Sequence, residues 1–176
     1  MTIVPDEKDW TWVLRRPCPE CGLNTSTFAR ESIPAMIRGN AAFWRVPLAA
    51  ADAVRRPRPD KWSPLEYGCH VRDVLKLYDH RLDLMLTQHN PLYPNWDQDE
   101  TAVADRYDTQ DPATVADELA AAAEAIAARF EGVSGEQWDR PGRRSDGAAF
   151  TVETFGRYFV HDPVHHLYDV TGGRHA

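Results

Sequence analysis

The sequence predicts an all-α protein: a four-helix bundle with an N-terminal arm and long inter-helix loops. Apolar residues recur at threes and fours in four separate segments. Two of those segments open with a cap residue followed by proline, "SPLE" and "DPAT". No stretch shows a convincing period-two alternation, so nothing in the pattern asks for a sheet. Four amphipathic helices joined by loops bury their stripes most simply as an antiparallel bundle.

The elements follow in order. Residues 1–32 form an arm containing "WTWVLRRPCPECGL". The first helix is expected over residues 33–51, with Ile33, Met36, Ile37, Trp44 and Leu48 near one face. Pro34 suits its first turn, and Pro47 kinks or shortens it. "RRPRPDK" (residues 55–61) is an extended linker, because its prolines exclude helix. The second helix has the clearest start. Ser63 is the N-cap, Pro64 the first helical residue, and Glu66 completes a capping box. Tyr67, Val71, Val74, Tyr78, Leu82 and Met85 make its apolar stripe; His70 flanks the stripe and His80 lies opposite. A long connection over residues 87–110 leads to a third helix, capped by Asp111 and running to Glu131. A Gly- and Arg-rich loop follows, and the last helix begins near Thr151. The bundle is thus assigned to residues 33–170, with a tail over residues 171–176.

Composition narrows the function. A chain of 176 residues with 43% hydrophobic and 27% charged residues is long enough for one domain with a real core. A net charge of −7 argues against a nucleic-acid partner. No apolar run is long enough to span a bilayer. The first residues carry neither a basic nor an apolar signal region, and three cysteines make no secreted disulfide framework. The expected location is the cytoplasm.

The chemistry concentrates in "FVHDPVHHLYDV", residues 159–170. His161 and His165 are four apart and share a helix face, a spacing that closes on Zn²⁺, Ni²⁺ or a similar ion. Pro163 between them costs ~3 kcal/mol in a regular helix, which suggests a local geometry with a purpose. His166 lies about 100° further round and reads as a packed or hydrogen-bonded ring. A zinc-protease reading fails: Asp162 stands where the general-base glutamate belongs, and only His175 lies downstream as a third ligand. His70, pointing inward from the second helix, is the better third ligand and leaves open metal positions. "CPEC" is half of a zinc site, but no second half is apparent, since Cys69 precedes His70 within a helix. A redox dithiol lacks the strand–helix context. The remaining reading is a knuckle turn packing the arm onto the bundle.

"WSPLEYGCHVRDV" followed far downstream by "HDPVHH" resembles the DinB-like superfamily over residues 33–170. The resemblance implies a four-helix bundle with His70, His161 and His165 as its metal triad. It also implies a small-thiol S-transferase or isomerase, with mycothiol as co-substrate beside an electrophile. The Arg- and Ala-rich composition fits the high-GC bacteria that make this thiol. A metal-dependent hydrolase on the same centre, or a non-catalytic bundle that binds metal or a small molecule, are the alternatives. Either a monomer or a homodimer is compatible with the sequence. Glu66, Asp73, Asp162 and Asp169 are candidates to orient the imidazoles. Asn95, Trp96, Asp97 and Gln98 are candidates for a substrate wall, and Arg143 and Arg144 for an anionic group.

Overall fold

In the computed structural model, which describes residue 3 and residues 9–174, five helices follow one another along the chain. These are α1 (Ile33–Ala49), α2 (Pro64–Thr87), the short α3 (Gln98–Ala104), α4 (Pro112–Glu131) and α5 (Val152–Thr171). The four longer ones form the bundle. His175 lies outside the described residues.

Three of the four long helices begin where side chains satisfy free backbone N–H groups of the first turn; α1 has no such cap at Ser32. On α2 the Ser63 hydroxyl accepts from the Glu66 N–H, and the Glu66 carboxylate accepts from the Ser63 N–H at 2.8 Å. Asp111 accepts from the Thr114 N–H at 2.8 Å to start α4. Thr151 and Thr154 form a reciprocal box at the start of α5, which ends on Gly172 in the left-handed region at φ 69°. α1 stops at Ala49, two residues earlier than expected, with Pro47 in its last turn.

Trp44, Leu65, Leu82, Leu119, Phe130, Phe155 and Phe159 are among the side chains removed from solvent between the helices. Each contributes about 1.5–3 kcal/mol by burial. Gly156 lets α5 approach its neighbours: a Cβ there would lie 2.9 Å from Ile33 Cδ1 and 3.0 Å from Phe130 Cε1. α5 runs unbroken through Pro163, whose carbonyl accepts from Asn40 Nδ2 of α1 at 3.0 Å.

The two long connections, in which no strand pattern is evident from sequence, hold a small sheet. β1 (Leu92–Tyr93), β2 (Pro141–Arg144) and β3 (Ala149–Thr151) lie in that order, β1 parallel and β3 antiparallel to β2. Strands of two to four residues are too short to show an alternation in sequence. The sheet joins the two long connections, so the loop carrying Trp96 is held against the turn carrying Arg144.

The arm packs along α5. A turn closes through Cys18 N–H to Leu23 O at 2.9 Å and Gly22 N–H to Cys18 O at 3.0 Å. Gly22 takes φ 82°, which a side chain would resist. Arg157 of α5 donates to the arm carbonyls of Thr25 and Phe28. No helix of the described residues is long and apolar enough to cross a membrane.

Candidate metal centre

α5 presents two pairs at i,i+4 spacing, offset by one residue. His161 and His165 form one pair, Asp162 and His166 the other. An offset of one residue is about 100° of rotation, so the pairs face different neighbours. Asp162 and His166 meet His70 of α2, with ligand atoms all within 4.8 Å of one another. His161 and His165 meet Cys18 and Cys21 of the arm, again within 4.8 Å. The sequence reading joined His70 to His161 and His165. In the structure those histidines fall into two separate groups.

Within the first group His70 Nε2 lies 3.4 Å from Asp162 Oδ1, and His166 Nε2 lies 3.8 Å from the same oxygen. The His70 and His166 rings stand nearly perpendicular, with centroids 4.7 Å apart. His70 is 0% exposed, yet neither of its ring nitrogens has a hydrogen-bond partner among the described residues. Asp162 Oδ1 is equally shut off and equally unpartnered, although the rest of that side chain is partly exposed. Each such atom costs about 1–3 kcal/mol when left unsatisfied. His70 Nε2 and Asp162 Oδ1 face each other, and a cation between them would relieve both. His166, read from sequence as a packed or hydrogen-bonded ring rather than a ligand, is hydrogen-bonded and also belongs to this group. Its Nδ1 lies 3.0 Å from Asp169 Oδ2, which leaves Nε2 to face His70 and Asp162. A carboxylate holding the far nitrogen of a histidine is the usual support of a metal ligand.

The electrostatics agree with that use. Burial pushes His70 below its ordinary value, so its imidazole is neutral. Burial, with His165 beside it, brings His161 down to about 4. Burial acts first on His165 as well, lowering it, with His166 next. For Asp162, burial raises the carboxyl, but His70 and His166 outweigh this and hold it well below the ordinary carboxylate range. Neutral imidazoles and an ionised carboxylate are the forms a divalent cation takes. Burial pushes the Cys69 thiol up to about 12, so it is no ready nucleophile.

The other candidates divide. Glu66 is spent on its cap and on Arg56, whose Nε lies 2.9 Å from Oε2. Asp73 pairs with Arg72 and accepts from the Tyr107 hydroxyl. Asp162 becomes a ligand candidate rather than a support, and Asp169 supports His166. Asn95, Trp96, Asp97 and Gln98 line a cavity of about 1120 Å³ with Asp162 and His166 on its wall. Trp96 stacks on His70 at 5.5 Å and an interplanar angle of 10°. Asp97 also caps α3, accepting from the Asp99 and Glu100 N–H groups. Arg144 lines the cavity and binds Asp146 and Tyr158. Arg143 is exposed on β2 and is not among the lining residues.

Sequence reasoning passed over Arg81. It is 3% exposed, lines the cavity, and has no carboxylate partner among the described residues. Its Nη2 donates to Pro94 O at 2.7 Å, its Nε has no hydrogen-bond partner among the described residues, and it lies over the Tyr78 and Tyr93 rings. A signal existed: Arg81 follows His70 by eleven residues, three helical turns to within about 20°, and so shares its face.

The DinB superfamily profile matches residues 41–170. No curated protein matches the sequence. A solved structure, YfiT from Bacillus subtilis, is similar with a TM-score of 0.64 at 20% identity, over 97% of this chain and 91% of that one. It is described as a probable metal-dependent hydrolase with an unusual four-helix bundle topology. At that identity the likeness is one of fold. With its helical bundle and a profile match across most of its length, the chain belongs to the DinB superfamily.

Proposed function

We propose that the protein is a metal-dependent enzyme whose centre is His70, Asp162 and His166, acting on a small thiol and an electrophile. The observation that carries this reading is the buried His70 ring, with no hydrogen-bond partner at either nitrogen among the described residues and with Nε2 facing Asp162 Oδ1 at 3.4 Å. Two nitrogens and one oxygen suit Zn²⁺ or Ni²⁺, and Fe²⁺ accepts the same set; three protein ligands leave positions open. The bound ion supplies Lewis acidity and lowers the pKa of a thiol or water that joins it.

The chain's own residues do the rest. Trp96 and Trp62 pack against the His70 ring, at 5.5 Å each, and exclude water from its face. Asp169 holds His166 in one orientation. Arg81 and Arg144 offer positive charge in the cavity, suited to a carboxylate or similar group on the substrate. Asp60, Asp97, Trp62, Trp96 and Tyr67 line the same space, and carboxylates with aromatic faces suit a polyhydroxylated thiol such as mycothiol. A cavity of about 1120 Å³ also exceeds what one small ligand fills, which supports a two-part substrate.

Hydrolysis at the same centre is the second reading, favoured by the fold shared with YfiT. Incubating the metal-loaded protein with mycothiol and a generic electrophile separates the two. Adduct formation well above the protein-free rate supports thiol transfer. A rate equal to the protein-free one, with hydrolysis of test esters or amides above background, would transfer the assignment to the second reading. Neither activity would leave a binding protein.

A further inference from the structure

We propose that Cys18, Cys21, His161 and His165 hold a second metal ion, a closed Zn²⁺ site that pins the N-terminal arm to α5. Two sulfurs and two ring nitrogens lie within 4.8 Å of one another, and all four residues are buried. They come from elements shaped for the purpose. The arm contributes a tight turn that sets two thiols side by side, with Gly22 at positive φ just beyond. α5 contributes an i,i+4 histidine pair on one face.

The individual atoms support it. His161 Nε2 is buried without a hydrogen-bond partner among the described residues. Cys18 Sγ lies 3.6 Å from His165 Nδ1, inside the cluster. On the far side of that ring, Nε2 faces Glu20 Oε2 at 3.9 Å and Asp169 Oδ2 at 3.8 Å. A ring that ligates through one nitrogen and turns the other toward carboxylates is a supported metal ligand. Four protein donors complete a tetrahedron and leave no open position, which is the structural rather than the catalytic kind of zinc site. On binding, both thiols give their protons to solvent.

The consequence reaches the cavity. Trp10 of the arm packs against His161 at 5.5 Å and His165 at 5.1 Å, and lines the cavity with Asp9, Thr11 and Glu20. An ion here fixes one wall of the space in which His70, Asp162 and His166 would work.

Spectroscopy of the full chain tests it with Co²⁺ alone, added to reduced, chelator-stripped protein. An intense thiolate-to-cobalt band in the near ultraviolet with tetrahedral visible bands is expected, and about two ions per chain at saturation. Cys18→Ser with Cys21→Ser should lose the near-ultraviolet band and about half of the metal. His70→Ala should lose about half of the metal and keep the band. Folded wild-type protein without the band would overturn the proposal. So would a band that survives in the double variant, which would assign it to Cys69. If the double variant does not fold, His165→Cys decides: a third thiolate should strengthen the band by about half, and unchanged intensity would overturn the site.

Discussion

At the scale of single residues, His70 is the feature that most needs an explanation. An imidazole buried at 0% exposure with no hydrogen-bond partner among the described residues at either nitrogen is a cost the fold would not carry for packing alone. Its inward direction was legible from the stripe of α2. Its partners were not, because choosing between His161/His165 and Asp162/His166 means resolving one residue of helical phase on a helix that contains a proline. The role of Asp169 gives a sharp expectation. Asp169→Asn removes the charge held 3.0 Å from His166 Nδ1 and should weaken metal binding by roughly 10–100-fold, with the fold intact by circular dichroism. Titration with a competing chelator reads this, and unchanged affinity would remove Asp169 from the centre. Arg81 makes the opposite trade. Burial lowers its pKa, and no carboxylate compensates it. Arg81→Met should therefore leave stability within about 1 kcal/mol of wild type, or raise it, while KM for an anionic substrate rises by roughly tenfold or more. A large loss of stability with unchanged KM would make the arginine structural.

At the scale of elements, the helices were legible because caps and stripes are local signals. The sheet was not, since its pairing depends on contacts between distant loops and its strands are short. α2 illustrates how its start is held. Glu66 caps the helix and pairs with Arg56, and although burial raises its carboxyl, Arg56 and Ser63 bring it below its ordinary value of 4.5. The stabilisation is therefore complete above about pH 4.5 and is lost as pH falls through the lower folded value. Glu66→Gln should cost about 1–3 kcal/mol at pH 7, with the gap closing in denaturant melts below pH 4.5. A gap that widens toward acid would contradict the pairing. On α5, Pro163 lies between the members of both offset pairs. Its carbonyl is held by Asn40, so the packing has adapted to it and Pro163→Ala recovers less than the ~3 kcal/mol of a regular helix. Thermal stability should hold or rise while metal affinity falls, as expected where a site is maintained at some expense of stability. Higher stability with unchanged affinity would make the proline a tolerated kink.

At the scale of the whole molecule, α5 is the common wall between the arm and the bundle, and each of its two offset pairs finds donors on a different partner. The "CPEC" turn looked from sequence like half of a site with no second half. The histidine pair of α5 lies beside that turn, and only the path of the arm over α5 brings the two together. Long-range placement of this kind leaves no periodic trace in a sequence. Anomalous diffraction from crystals of the metal-loaded protein tests the central assignment most directly. A peak is expected among His70 Nε2, Asp162 Oδ1 and His166 Nε2, with a second among Cys18, Cys21, His161 and His165. A single peak joining His70 to His161 and His165, with Asp162 and His166 turned away, would contradict it.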